Sequence, residues 1–355
     1  MKKLVISKII AVQIITMMSF SAMSQSNKEI DEKSYFDIKE LISPYTSWGI
    51  NPYNPANINL TGAWKHFKKN KNIVVAVVDT GVDPTHEFLA KNIFIENGKV
   101  ESSQYGVDFS KDKKSSGTPL DNHGHGSHVS GIIKSIYPEV LLLELKYYNA
   151  SASGEDNLNS TVEALRYAVD HNVDVINYSG GGEGASRKEF EILKEAEKKG
   201  ILVVVAAGNN QANIDDKKTA YYPASYGLKN VITVTAYDEN LQILNSSNFG
   251  SHGVDIFAPG YRIKSSLNNG RSGYLTGTSQ ATAFVTGVAA LIKAQYPTLS
   301  AEKVKEIINS SAKKEDSMKG KCLTGARLDA TSALAAAKEV FDGLSVHREL
   351  ANAGK

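Results

Sequence analysis

The sequence predicts an α/β fold, a doubly wound and mostly parallel sheet with helices on both faces. Continuous apolar runs rich in β-branched residues, typical of strands buried on both faces, recur along the chain. Amphipathic segments with helix-start signals lie between these runs, and such alternation indicates right-handed crossovers within one domain. The predicted strands are Ile73–Val78, Glu139–Tyr147, Val173–Tyr178, Ile201–Ala206 and Val231–Thr235.

Two helices are predicted from the spacing of their first residues. Ser160 and Glu163, and likewise Ser186 and Glu189, have the spacing of a capping box, in which each side chain bonds the other residue's backbone N–H. Gly200 follows the second amphipathic run and predicts its end, because glycine readily adopts the left-handed conformation of a helix C-terminus. These helices supply the crossovers into the third and fourth predicted strands.

The first two dozen residues have the layout of a secretory signal peptide. Lys2 and Lys3 precede an apolar run from about Ile9 to Phe20, and small residues follow. The run is shorter than the roughly 20 apolar residues that span a membrane, so no stable membrane anchor is expected. No cysteine lies near the cleavage site, which argues against a lipoprotein. We predict a signal peptide over 1–24, a short pro-segment or linker over 25–44, one folded domain over 45–345, a C-terminal tail over 346–355, and a secreted or periplasmic protein.

Composition and charge fit a globular protein without a nucleic-acid partner. The 355 residues are 41% hydrophobic and 22% charged, which suffices for a sizeable core. The net charge is +2, and removing residues 1–24 takes away three lysines and no acidic residue, so it falls to −1. The slight basicity therefore belongs to the targeting segment, and no nucleic-acid partner is predicted. Cys322 is the only cysteine, so no intramolecular disulfide can form, and we interpret it as a small buried hydrophobe.

Polar side chains follow two of the predicted strands. Asp79 comes directly after the first strand and Asn209 shortly after the fourth. Because the carboxyl ends of parallel strands share one rim, both should lie where such sheets bind ligands. An aspartate at a strand end is often a turn residue, and Asp79-Thr80-Gly81 is also the motif of aspartic proteases. Those enzymes need two such aspartates, and the chain has no second Asp-Thr-Gly or Asp-Ser-Gly.

A histidine cluster admits two interpretations. His123, His125 and His128 lie within six residues, a density that can indicate a metal site. The pattern approaches the His-x-His-x-Asp-His of metallo-β-lactamase-like hydrolases, but Ser127 stands in place of the aspartate and no convincing later ligand follows. In the second interpretation, His125 begins a helix running through Ile132 and serves as a general base. Metal ligands remain unknown.

Ser279 precedes an apolar helix predicted over residues 281–296. It stands in the stretch Gly277-Thr278-Ser279-Gln280-Ala281. A helix N-terminus offers unpaired N–H groups and a positive potential, although a capping serine is the ordinary explanation of such a position. A serine nucleophile also needs a base and an orienting carboxylate. The chain supplies them in the order Asp79, His125, Ser279.

This order and the small residues around each motif resemble the subtilisin-like serine proteases, the subtilases, over about residues 45–340. The resemblance implies that His125 takes the Ser279 proton and returns it to the leaving amine, while Asp79 orients the imidazole. It also implies that the Asn209 amide and the Ser279 N–H stabilise the oxyanion. We therefore expect an exported endopeptidase that forms an acyl-enzyme with protein or peptide substrates, needs no cofactor for catalysis and is monomeric.

The same resemblance implies a substrate-binding cleft. Glycines after the third strand leave a backbone edge free to pair with an extended peptide. Walls this small predict room for a sizeable apolar side chain at P1, the residue on the acyl side of the scissile bond. Glu183 could favour a basic side chain in a neighbouring subsite, or it is a solvated loop charge. The expected wall residues are Ser179, Gly180 and Gly181 on one side and Ala207 and Gly208 on the other.

The chain departs from the family pattern at three places. Residues 280–283 read Gln-Ala-Thr-Ala where the family has Met-Ala-x-Pro, which removes no catalytic group. Residues 85–89 lack the aspartate that binds structural calcium in many subtilases, so a calcium site is not supported there. Residues 25–44 are too short for the usual pro-domain. A non-catalytic binding protein on the same scaffold is the alternative, and it predicts loss of a triad or oxyanion position, which the sequence does not show.

Overall fold

The computed structural model describes residues 34–95, 105–111 and 118–353, with side chains up to residue 344. The predicted signal peptide lies outside these residues. The strands are β1 Val74–Asp79, β2 Gly106–Asp108, β3 Leu141–Lys146, β4 Val175–Tyr178, β5 Leu202–Ala206, β6 Val231–Tyr237, β7 Ile256–Pro259, β8 Ile263–Leu267, β9 Arg271–Leu275, β10 Lys313–Lys314 and β11 Ala326–Arg327.

Within the described ranges, nine strands form one sheet in the order β10-β11-β7-β6-β5-β4-β1-β3-β2. Neighbouring strands are parallel except at the β10–β11 edge. Strands β8 and β9 form a separate antiparallel hairpin. The chain builds outward in one direction from β1 to β3 and then in the other from β4 to β7, so the order reverses between β1 and β4. Ligands of such sheets bind at this point, beyond the carboxyl ends of the strands.

Helices cover both faces of the sheet, as the sequence predicts. Side chains of β1 alternate between two apolar cores: Val75 and Val77 belong to one, and Ala76 and Val78 to the other. The helices are α1 Leu60–His66, α2 His125–Ile136, α3 Gly154–Asp170, α4 Arg187–Lys198, α5 Thr278–Gln295, α6 Ala301–Ser310 and α7 Ala330–Ala353. Short 3₁₀ turns occupy Ile38–Ile42, Ala90–Asn92, Ala224–Tyr226 and Asp316–Met318. Helix α5 is buried along its whole length.

One of the two predicted helix starts is correct. Ser186 caps α4 by accepting from the Glu189 N–H at 3.3 Å, and Gly200 follows the helix at φ +72°. The start predicted at Ser160 is wrong, because α3 begins at Gly154 and is capped by Ser153. Acidic residues in the first turn favour this earlier start, so Ser160 is a buried residue inside the helix.

The N-terminal segment packs into the main core. Phe36 and Leu41 are buried in the cluster that contains Trp64 and Tyr137, and the Phe36 and Trp64 ring centroids lie 5.0 Å apart. The folded body therefore begins before residue 45 and includes the described part of the segment predicted as a pro-segment or linker. At the other end, α7 continues through the boundary predicted at residue 345.

Candidate active site

A carboxylate and an imidazole meet at the carboxyl end of β1. Asp79 is the last residue of this strand and His125 the first residue of α2. The His125 Nδ1 and Asp79 Oδ1 atoms lie 2.7 Å apart. Burial alone would lower the pKa of the imidazole, but the charge and hydrogen bond of Asp79, with the charge of Asp121, raise it above its ordinary value. Asp79 is 3% exposed, so its charge acts through protein rather than water.

Asp121 braces the loop that leads into α2. Its Oδ1 accepts the N–H groups of His123 and Gly124 at 2.9 and 2.7 Å and the Thr80 hydroxyl at 2.9 Å. Its Oδ2 accepts the Ser127 N–H at 2.9 Å and hydroxyl at 2.7 Å. The carboxylate is almost fully buried. Five donors to one buried carboxylate fix the position at which the His125 ring enters the site.

Helix α2 begins unusually close to the loop that follows β1. A Cβ atom on Gly126 would lie 2.1 Å from the carbonyl oxygen of Gly81, and Gly81 itself has φ +101°. Any larger residue at Gly126 would push the helix start away from the sheet. The Gly126 N–H also donates to the Thr80 hydroxyl at 2.8 Å. Glycine at position 126 thus lets the helix begin in contact with this loop.

Ser279 is the second residue of α5. It is 7% exposed, and its hydroxyl donates to the Ser179 carbonyl at 2.9 Å. The Ser179 hydroxyl in turn donates to the Ser279 carbonyl at 3.1 Å and accepts from Asn177 at 2.9 Å. Among the residues that the structure describes, no hydrogen bond joins Ser279 to His125. Such bonds often form only when substrate is bound.

Asn209 is oriented by the same helix start. Its Oδ1 accepts the Thr278 N–H at 3.0 Å and the Thr278 hydroxyl at 3.2 Å. With the carbonyl end of the amide held in this way, the Nδ2 group points away from Thr278 and has no acceptor in the described chain. The Ser279 N–H belongs to the first turn of α5, where backbone donors lack helical partners. Two donors are thus available beside the serine.

The predicted wall residues lie at the ends of two adjacent strands. Ser179, Gly180 and Gly181 follow β4, and Ala207 and Gly208 follow β5. The first wall is pinned by paired backbone hydrogen bonds of 2.9 and 2.7 Å between Gly182 and Tyr222. The second wall is pinned by Asn248, whose Nδ2 donates to the Ala207 carbonyl at 2.8 Å.

The space between the walls is not open as predicted, because an aromatic ring enters it. A Cβ atom on Gly181 would lie 2.5 Å from Cε1 of Tyr221, and one on Gly208 would lie 3.0 Å from Cζ of the same ring. Beside the first wall, a Cβ atom on Gly180 would lie 2.2 Å from the Tyr147 hydroxyl. The Tyr221 ring, which contacts both walls, therefore lies where the sequence predicts room for a substrate side chain.

The other two histidines of the cluster are engaged elsewhere. His128 is buried, and its Nε2 lies 2.9 Å from the Ile263 carbonyl. Burial and the charge of His125 lower the pKa of His128 to about 4, so it stays neutral. The His123 ring lies edge-on to Tyr148, at 5.9 Å between centroids. In the described ranges no three His, Cys, Asp or Glu side chains converge as metal ligands.

An aromatic cluster occupies the segment where many subtilases carry a calcium-binding aspartate. The Phe88 ring stacks on Tyr45 at 4.9 Å between centroids, and the Lys134 ammonium lies 3.8 Å from the Phe88 centroid. The Tyr45 hydroxyl bonds the Glu87 carboxylate. A cation already lies over this ring, in a cation–π contact that contributes about 0.5–2 kcal/mol.

The chain is similar in sequence to proteins of one known family. The subtilase family matches residues 70–332. The thermophilic serine proteinase of Bacillus sp. (strain AK1) is 35% identical over 253 residues, which are 68% of this chain and 57% of that protein. The chain thus spans little more than half the length of that relative. Subtilisin DY of Bacillus licheniformis is 33% identical over 253 residues, 69% of this chain and 85% of the relative.

Two solved structures share the architecture. One describes the assembly of the subtilase cytotoxin SubAB, with a TM-score of 0.68 and 27% identity over 79% of this chain and 95% of the other. The second is a cold-adapted subtilisin-like serine proteinase, with a TM-score of 0.62 and 27% identity over 75% of this chain and 92% of the other. Fold and similarities together define a subtilisin-like serine protease. The chain belongs to the subtilase family.

Proposed function

We propose that this protein is an exported serine endopeptidase that cleaves protein or peptide substrates through an acyl-enzyme. The observation that carries the proposal is the 2.7 Å contact between His125 and Asp79 on the same rim as Ser279. Membership of the subtilase family supports the reaction class. Export is supported by the signal-peptide pattern over 1–24. As a separate finding, the helices of the described ranges include no candidate membrane span.

In the proposed mechanism, the Ser279 hydroxyl leaves the Ser179 carbonyl and attacks the substrate carbonyl carbon. Its proton passes to the free Nε2 of His125, and Asp79 stabilises the imidazolium through Nδ1. The negative charge that forms on the substrate oxygen accepts hydrogen bonds from the Asn209 Nδ2 group and the Ser279 N–H. These donors are already in place, so little reorganisation is required as the charge develops.

Collapse of this intermediate breaks the C–N bond, and His125 donates its proton to the leaving amine. The acyl group remains on Ser279 as an ester. Water then attacks the ester carbonyl and gives a proton to His125, which returns it to the Ser279 oxygen as the acid product leaves. No cofactor takes part in this cycle, and we propose that the enzyme acts as a monomer.

The test is a Ser279→Ala variant compared with the wild type. We expect a fluorophosphonate probe to label the wild type and not the variant. We also expect turnover of the variant to be about 10⁶-fold lower, which is the loss known from subtilisin itself. A His123→Ala variant is the matched control, because this neighbouring histidine has no role in the mechanism. Labelling or proteolysis that survives in Ser279→Ala refutes the proposal.

Export has its own test. Expression of the full chain and of a chain lacking residues 1–24 should place only the former outside the cytoplasm. N-terminal sequencing of the exported protein should begin near Gln25. Retention of the full chain in the cytoplasm would contradict export without affecting the proposed chemistry.

A further inference from the structure

We propose that Tyr221 closes the P1 pocket and restricts the enzyme to substrates with glycine, alanine or serine at P1. This inference rests on the proposed function, and it reverses the expectation of a large apolar P1 residue. Small residues in the two walls leave room for a large P1 side chain only if nothing else lies between the walls. In the folded chain, a ring supplied from a distant segment fills it.

The position of the ring follows from two independent glycines. Cε1 and Cζ of Tyr221 lie 2.5 and 3.1 Å from a Cβ atom built on Gly181, and Cζ and Cδ1 lie 3.0 and 3.1 Å from one built on Gly208. Only hydrogen stands on each glycine at these points. One edge of the ring is therefore in contact with both walls at once and bridges the gap between them.

The pocket so closed is the one that a P1 side chain would enter. The scissile carbonyl must lie between the Ser279 hydroxyl, which contacts the Ser179 carbonyl, and the Asn209 amide. Ser179 opens the first wall, and Asn209 directly follows the second. The P1 side chain is carried by the α-carbon next to this carbonyl, so it projects between the walls and meets the Tyr221 ring.

Hydrogen bonds hold both walls: β4 and β5, from which the walls extend, are paired up to Tyr178 and Val205, and Asn248 donates to the Ala207 carbonyl at 2.8 Å. Gly182 and Tyr222 are joined by two backbone hydrogen bonds, which tie the first wall to the segment that carries Tyr221. The backbone around Tyr221 is fixed as well: its N–H donates to the Ser225 hydroxyl at 3.1 Å, and its carbonyl accepts the Ser225 N–H at 2.8 Å. The side chain alone must move if the pocket is to open.

No hydrogen bond holds the Tyr221 hydroxyl within the described part of the chain. Burial and the charge of Glu183 raise the pKa of this hydroxyl, so the ring enters the pocket as a neutral group. Bulk, rather than a polar contact, therefore excludes large P1 residues. The ring without its hydroxyl should exclude them equally well.

The experiment compares three enzymes on peptide substrates that differ only in alanine or phenylalanine at P1. For the wild type and Tyr221→Phe, we expect kcat/KM to favour alanine by at least about tenfold, the scale of discrimination by pocket size. For Tyr221→Ala, we expect the ratio to shift toward phenylalanine by at least about tenfold. Tyr221→Phe is the matched control because it keeps the ring and removes only the hydroxyl.

Two outcomes overturn the inference: a wild type that cleaves after phenylalanine or leucine as readily as after alanine, and an unchanged ratio in a folded Tyr221→Ala. If that variant fails to fold, the P1 profile of the wild type on a complex peptide mixture decides alone. Fluorophosphonate labelling separates the two hypotheses. A labelled enzyme that is indifferent to P1 refutes the pocket alone, whereas an unlabelled and inactive one refutes the proposed function and this inference with it.

Discussion

The two halves of the candidate site are held in different ways. In the first half, His125 already contacts Asp79, and Asp121 fixes the loop before it with five hydrogen bonds. In the second half, the Ser279 hydroxyl bonds a neighbouring carbonyl, while Asn209 is locked at its oxygen end only. The proposed base is thus positioned before substrate arrives, whereas the proposed nucleophile must first give up one hydrogen bond.

The variant with the largest expected effect, His125→Ala, tests whether the two halves of the site act as one unit. His125→Ala should lower kcat by about 10⁶, as for Ser279→Ala, and the double variant should be no slower than either, as in subtilisin. Each group is useless without the other, because the proton has no other acceptor. Steady-state kinetics of the three variants measure this. Additive losses would show that the halves work independently.

The oxyanion donor should have the next largest effect. Asn209→Ala should lower kcat by about 10²–10³, the loss known for the equivalent donor of subtilisin, with little change in KM. The donor acts only on the charge of the transition state, so binding of the ground state is spared. Asn210→Ala, one residue along on the exposed loop, serves as the control. A loss that appears mainly in KM would contradict this role.

A smaller effect tests the role of Asp121 in the first half of the site. Burial opposes it, but Asp79 and, to a smaller extent, Asp121 raise the pKa of His125. Because the proposed base works only when neutral, kcat/KM should rise with pH through a midpoint above the ordinary histidine value of about 6.5. Asp121→Asn removes that charge and should move the midpoint to lower pH. The pH profile of kcat/KM checks this shift. An unmoved midpoint would leave Asp121 with a purely structural role.

The smallest effect concerns stability. Thr80→Val removes hydrogen bonds to Asp121 and Gly126 and should lower the free energy of unfolding by about 1–3 kcal/mol. Ser179→Ala also removes two hydrogen bonds, to the Ser279 carbonyl and from the Asn177 amide, but neither partner is charged, so the loss should be smaller, about 1 kcal/mol. Urea denaturation of both variants gives the two values. A greater loss for Ser179→Ala would reverse the contrast between the halves.

Local patterns in the sequence predicted five adjacent strands of the sheet, β1 and β3 to β6, and most of what lies at their ends, but not β2 or β7 to β11. The functional residues that the sequence analysis missed contact partners that are distant from them in the sequence. Asp121 is, in the sequence, an ordinary turn aspartate four residues before His125, and its role depends on Thr80, which only folding brings near. Tyr221 follows Gly181 by 40 residues, and nothing in its own segment indicates that its ring enters the gap.

Two other differences have equally physical causes. Ser160 has the right spacing for a cap, but spacing alone does not show that an earlier serine already begins the helix. Residues 25–44 are predicted as a short pro-segment or linker, whereas the burial of Phe36 and Leu41 depends on packing in the same cluster as Trp64 and Tyr137. The first prediction failed because of a competing cap seven residues earlier, and the second because of packing partners that are distant in the sequence.

The parallel sheet has a consequence for how the protein survives its own synthesis. Asp79 and Ser279 are 200 residues apart in the sequence. The proposed active site therefore forms only after strands that are distant in the sequence have paired, which is slow. Until then the chain is incompletely folded, and under the proposed function folded copies would cleave it. The yield of folded wild-type enzyme on refolding should therefore fall as the protein concentration rises. The yield of folded Ser279→Ala, which is inactive, should not fall for this reason.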